Sequence, residues 1–171
     1  MATANPITLP LKYTVNQHAL PAVKKFFTGG NNVSKTKCAK LYNSGAGELH
    51  GDKVLPTSLD NSMAITMVAI VSSPVAGAVG EKVRLEVGYH TTDTVAGETA
   101  DPAAQQQTVA QSVDVSGWGA KGKRRVTFTL TAANFAAEDH LEYYLKRDPA
   151  HVDDNHAQDL NIHALYLKAS Y

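Results

Sequence analysis

Val126-Thr127-Phe128-Thr129-Leu130, Leu141-Glu142-Tyr143-Tyr144-Leu145-Lys146 and Leu160-Asn161-Ile162-His163-Ala164-Leu165-Tyr166-Leu167 carry an apolar side chain at every second position. A strand turns successive side chains to opposite faces. This period of two therefore predicts strands that bury Val126, Phe128, Leu130, Leu141, Tyr143, Leu145, Ile162, Ala164 and Tyr166 on one surface. The last two stretches read as a closing hairpin around the polar loop 148–159.

Working outward, residues 82–90 alternate in the same way, with Val83, Leu85, Val87 and Tyr89 inward and Arg84, Glu86 and His90 outward. Residues 64–71 form an apolar run of strand length, bounded by Ser72-Ser73-Pro74, which suits a strand covered on both sides. Residues 108–116 add a strand through Val109, Val113 and Val115, and Gly117-Trp118-Gly119 turns it into the next. Residues 131–138 read as a helical turn capped by Thr131, with Phe135 as an end plug. Connections too short for crossover helices make the fold all-β: an antiparallel two-sheet β-sandwich, with eight strands a jelly roll.

The first 60 residues read differently. Residues 7–15 alternate, but Pro10 has no N–H to give a central ladder, so they read as an edge strand or an extended arm. A short helix is predicted over residues 19–27, ended by Gly29-Gly30. Turn material follows, with weak strands at 37–42 and 48–54. The expected division is a loop-rich arm over 1–60 and a sandwich domain over 61–171.

At 171 residues the chain has the size of one ordinary domain, able to bury about 70% of its unfolded surface. The single cysteine, Cys38, excludes an internal disulfide and a multi-cysteine zinc site. No stretch approaches the roughly 18 apolar residues of a membrane span, so no membrane partner is expected. No secretory signal is visible at the start, which implies assembly in a cytoplasm. The zero net charge is unevenly spread. Residues 1–53 hold seven lysines against Glu48 and Asp52, a net of +5, while the remainder holds nine Lys/Arg against fourteen Asp/Glu, a net of −5. Such blocks pair within one molecule or guide docking onto an acidic neighbour.

The candidate sites are few. His151, Asp153, Asp154 and His156, flanked by Asp148 and Asp159, offer oxygen and imidazole ligands, and Asp153, Asp154 and His156 are the metal candidates. Their spacing matches neither a calcium loop nor a zinc motif, so solvated turn material is the competing reading. The run Lys121 to Arg125 reads as a charged edge that deters strand pairing or as a contact for an acidic neighbouring subunit, rather than a nucleic-acid site. Trp118 is either a plug or a sugar platform. There is no nucleophile elbow, no zinc-protease helix and no phosphate-cradling loop. Glu86, Glu142 and Asp114 sit at outward strand positions and would form a glycosidase pair only if a groove brought two of them together. No cofactor is expected and no enzyme activity is assigned.

The block from Asp139 to Pro149, its Asp-rich loop and the last strand to Tyr171 resemble the closing segment of jelly-roll virion proteins of tailed bacteriophages: capsid cement or decoration proteins, head fibres and tail appendages. The resemblance covers residues 108–171, with a looser fit back to 62. It implies a non-enzymatic virion protein, located on the virion as a homo-oligomer, that binds the major capsid protein or another virion protein and stabilises a phage head. On that reading Pro10, Leu11, Tyr13, Phe26 and Phe27 are the lattice contacts, and Lys24, Lys25, Lys35, Lys37 and Lys40 supply complementary charge. The competing expectation is packing of these residues against their own sandwich. The alternative function is an appendage domain binding a host glycan or receptor through residues 91–107, Trp118 and 148–159. A carbohydrate-active enzyme is the third.

Overall fold

A computed structural model describes residues 6–12, 14–15, 25–26, 37–44, 47–93 and 107–170. The strands are β1 (Pro6–Pro10), β2 (Thr14–Val15), β3 (Lys25–Phe26), β4 (Lys37–Leu41), β5 (Glu48–Val54), β6 (Ile65–Ser72), β7 (Lys82–Thr92), β8 (Gln107–Asp114), β9 (Arg124–Leu130), β10 (His140–Arg147) and β11 (Leu160–Ser170). They form two sheets. The first runs β3-β4-β11-β6-β9, with β1 pairing the far half of β11 on the edge that β4 also uses. The second runs β2-β5-β10-β7-β8. All strand pairs are antiparallel, and the fold is the expected β-sandwich, consistent with a jelly roll.

The alternating residues build the core. Val83, Leu85, Val87 and Tyr89 of β7 meet Leu141, Tyr143 and Leu145 of β10 on one inner face, opposite Ile65, Met67, Ala69 and Val71 of β6 and Val126, Phe128 and Leu130 of β9. Burying each large apolar side chain contributes about 1.5–3 kcal/mol. Phe135, fully buried, stacks on Tyr89 with ring centroids 5.3 Å apart. Tyr143 sits directly opposite Gly51, and its hydroxyl, donating to the Lys12 carbonyl, fills the space a side chain at 51 would need.

Four expectations are corrected by the coordinates. β10 and β11 are not a hairpin: they are the central strands of opposite sheets, so the loop between them crosses from one layer to the other. The inward set changes phase within β11, where Ile162 pairs Val71 but Ala164 already pairs Ile70. His163 is thus an extra residue, a bulge, and beyond it Leu165, Leu167 and Ala169 face the core in place of Ala164 and Tyr166. In the predicted helix over 19–27, only Lys25 and Phe26 are described, and they pair Cys38 and Lys37 as strand. The segment after β9 is a single 3-10 turn, Ala132–Asn134, and Thr131 makes no side-chain cap bond to it.

Of the leading 60 residues, β1 and β4 lie on β11 and β5 lies on β10, so both sheets draw on them. No helix among the described residues is long and apolar enough to cross a membrane.

Candidate functional site

The outer face of the second sheet gathers polar and aromatic side chains over a groove. Registers bring its outward residues into rows across three strands. Asp52, Glu142 and His90 form one row, His50, Tyr144 and Gly88 the next, and Glu48, Lys146 and Glu86 the third. Gly88 contributes no side chain to the middle row. An open groove of about 630 Å³ crosses the strands here, lined by Glu48, His50 and Asp52 of β5, Glu142 and Tyr144 of β10, and Gly88 and His90 of β7, with Gly51, Tyr89 and Tyr143 beneath.

The side chains are held by one another. Tyr144 donates its hydroxyl to Glu86 Oε1 at 2.6 Å, and Lys146 Nζ reaches the same carboxylate at 2.9 Å and lies 5.4 Å from the Tyr144 ring centre. Burial would raise the Glu86 carboxyl, but the bonds from Lys146 and Tyr144 and the charges of Lys146 and Arg84 outweigh it and keep it below the usual carboxylate range. His50 Nε2 stands 2.8 Å from Glu48, with its ring tilted 49° against Tyr144 at 6.0 Å. His90 Nε2 meets the Thr92 hydroxyl at 3.1 Å. These contacts fix the angle of a half-buried tyrosine between imidazole and carboxylate groups. Such a surface accepts a flat, hydroxyl-rich ligand: an apolar ring face against the aromatic, and hydroxyls donating to carboxylates.

The metal-candidate loop serves another purpose. Arg147 is fully buried at one end of the sandwich and donates from Nε and Nη2 to both oxygens of Asp154, at 2.8 and 2.6 Å. It also donates to the carbonyls of Gln158 and His156. His156 joins the Ser73 hydroxyl at 2.9 Å to Glu81 at 2.9 Å, and Asp153 accepts from the Ser112 hydroxyl at 3.0 Å. The three candidates are thus spent on tying the loop down. Among the described residues no group of three or more His, Cys, Asp or Glu is placed to hold a metal ion.

Trp118 is 7% exposed and belongs to the core, so it is a plug and not a sugar platform. Of the partner-contact candidates, Leu11 is buried in the core, and its N–H bonds the Leu165 carbonyl. Pro10 pairs Tyr166 through β1. Lys40 forms an ion pair with Asp159 at 2.7 Å, so at this position the basic front meets the acidic body within one molecule. Lys25, Phe26 and Lys37 contribute backbone to β3 and β4. Tyr13, Lys24, Phe27 and Lys35 lie outside the described residues, as do residues 94–106 of the long loop.

The sequence marked Glu86, Glu142 and His90 as outward, but not what stood beside them. Tyr144, His50 and Asp52 went unread because their placement depends on β5 pairing β10, a contact between residues about 90 positions apart.

No family model matches the chain, and no curated protein does. Among solved structures it is similar to the module TmCBM61 in complex with β-1,4-galactotriose, with 12% identity and a TM-score of 0.43 over 92% of this chain and 87% of that one. It is similar to the xylan-binding module CBM15, with 10% identity and a TM-score of 0.45 over 92% and 97%. It is also similar to the CBM22-1–GH10 modules of a Clostridium thermocellum xylanase complexed with xylohexaose, with 12% identity and a TM-score of 0.42 over 96% of this chain and 26% of that one. The capsid-cement reading is corrected, since the free arm it relied on is built in part from strands of the sandwich. The three structures reported are carbohydrate-binding proteins rather than virion proteins. Within the supposed gripping arm, β1 and β4 are instead strands of the chain's own sheet.

Proposed function

We propose that this chain is a non-catalytic carbohydrate-binding module, and that a glycan lies in the groove across β5, β10 and β7. The observation that carries the reading is the convergence of Tyr144, His50, His90, Asp52, Glu48 and Glu142 on one groove built by strand register. Three strands at about 4.8 Å spacing give a floor about 10 Å wide, room for roughly two sugar rings lying across them. The groove's volume falls within the usual range for small-ligand sites.

Support for binding rather than hydrolysis comes from Glu86, the outward acid in the row beside the groove. A glycosidase needs one carboxyl held protonated and poised to donate. Glu86, the most enclosed of the outward acids here, is instead held ionised by Lys146 and Tyr144.

The galactotriose and xylohexaose of the similar structures suggest the probes. Titration calorimetry of the whole chain against β-1,4-galactan and xylan oligosaccharides is expected to show binding to at least one. Tyr144→Ala should weaken that binding at least tenfold, the loss of about 1.5 kcal/mol of ring contact, without altering the circular dichroism spectrum. If a broad glycan panel showed no binding to the wild-type chain, or if Tyr144→Ala bound as well as wild type, the proposal would fall.

A further inference from the structure

We infer that the groove selects polysaccharides free of acidic sugars and turns away uronic-acid or sulfated ones. The inference rests on the glycan-binding reading above and deepens it by naming the ligand class. The carboxylates of Glu48, Asp52 and Glu142 all line the groove, and no lysine or arginine is among its described lining residues. The neighbouring cations are already committed. Lys146 is bound to Glu86 at 2.9 Å in the row beyond, and Arg84 donates to the Ser112 hydroxyl at 3.2 Å. The imidazole of His50 faces Glu48 at 2.8 Å. A carboxylate or sulfate brought into this groove would therefore meet like charge, with no guanidinium or ammonium positioned to pair it. A neutral sugar meets the opposite situation, because each carboxylate oxygen is a strong acceptor for a hydroxyl donor.

The row Asp52–Glu142–His90 gives this selection its geometry. The two carboxylates lie on neighbouring strands at paired positions, which is ordinarily destabilising in a sheet. His140, one residue before Leu141, approaches Asp52 to 3.4 Å from the side. A sugar spanning the row would present hydroxyls to both acids at once.

The test is a matched pair of polymers: β-1,4-galactan against polygalacturonan, and neutral xylan against glucuronoxylan, by affinity electrophoresis and calorimetry at about 0.01 M salt. There the Debye length is about 30 Å and charge effects are full. The expected result is binding of a neutral member at least tenfold tighter than its acidic counterpart. The gap should shrink at about 1 M salt and shrink again in the double variant Asp52→Asn, Glu142→Gln. Equal or tighter binding of the acidic member, or a gap indifferent to salt and to both substitutions, overturns the selection while leaving the glycan reading intact. Binding of neither member of any pair overturns both.

Discussion

Arg147 has no exposed surface, and its guanidinium is surrounded by acceptors: two oxygens of Asp154 and the carbonyls of Gln158 and His156. Asp154 is equally enclosed, its side chain 1% exposed, and it also accepts the Arg84 backbone N–H at 2.9 Å. A buried pair of this kind adds little compared with apolar residues of the same shape, but removing one partner strands the other charge away from water. Asp154→Ala is therefore expected to lower unfolding stability by about 3–5 kcal/mol, read from urea denaturation. The double change Asp154→Leu, Arg147→Met, which removes both charges, should recover most of that loss. The sequence shows an Arg next to an Asp at 147 and 148 and a cluster of acids beyond, but not that the arginine faces inward. Position 147 continues the inward series of Leu141, Tyr143 and Leu145, and that parity was the legible clue.

At the scale of the element, β11 shows how far a period of two can be trusted. Its first half follows the alternation, with Leu160 and Ile162 inward, and the extra residue His163 then shifts the phase by one. Where both neighbouring positions are apolar, as at Ala164-Leu165-Tyr166-Leu167, alternation alone fits either phase, and only the pairing with β6 decides. Deleting His163 would close the bulge and leave Ile162 and Ala164 consecutive against Val71 and Ile70, so Leu165, Leu167 and Ala169 would still face the core. The deletion is expected to keep cooperative thermal unfolding. His163→Ala keeps the residue count and loses the hydrogen bond to the Ser72 hydroxyl, so it should remain folded at a loss of about 1 kcal/mol. A deletion variant that lost cooperative unfolding would show that the extra residue is itself needed to seat this strand. The other strands of the sandwich were legible because each holds one face to the core. The two-residue edge strand β3 was not, because edge pairing leaves little apolar signature.

For the whole molecule, the described histidine and carboxyl groups whose balance shifts on folding act in one direction. Burial first, then the Lys123 charge, lowers His163 below its ordinary value. Asp60, Asp114 and Glu81 are lowered chiefly by hydrogen bonds from Ser62, Ser116 and the Ala78 N–H. For Glu86 and Asp159, burial alone would raise the carboxyl, but bonds and charge from Lys146 and Lys40 respectively prevail and lower it. A group lowered in the folded state contributes stability above its unfolded value and loses it as pH falls toward the folded one. Stability is thus expected to fall with acidification, beginning near pH 6.5 as the unfolded chain takes up the His163 proton and steepening below about pH 4 as the carboxylates follow. Urea midpoints measured from pH 8 to 3 check this, and a midpoint rising toward acid would contradict it. The candidate groove belongs to the same scale. Each residue in it stands at an unremarkable outward position, and only the meeting of β5, β7 and β10 makes a surface of them, so no local pattern announces it.

That β10 and β11 each occupy the middle of a different layer governs how the protein is made. A ribosome that has released residues 1–139 has produced the flanks of both layers and the centre of neither, so β5 and β7 have no common partner and β4 and β6 stand apart. Strand edges then wait open until β10 and β11 emerge and stitch both layers almost together. Synthesis of this chain is accordingly a long exposure followed by a late closure, the interval in which a chaperone would meet it.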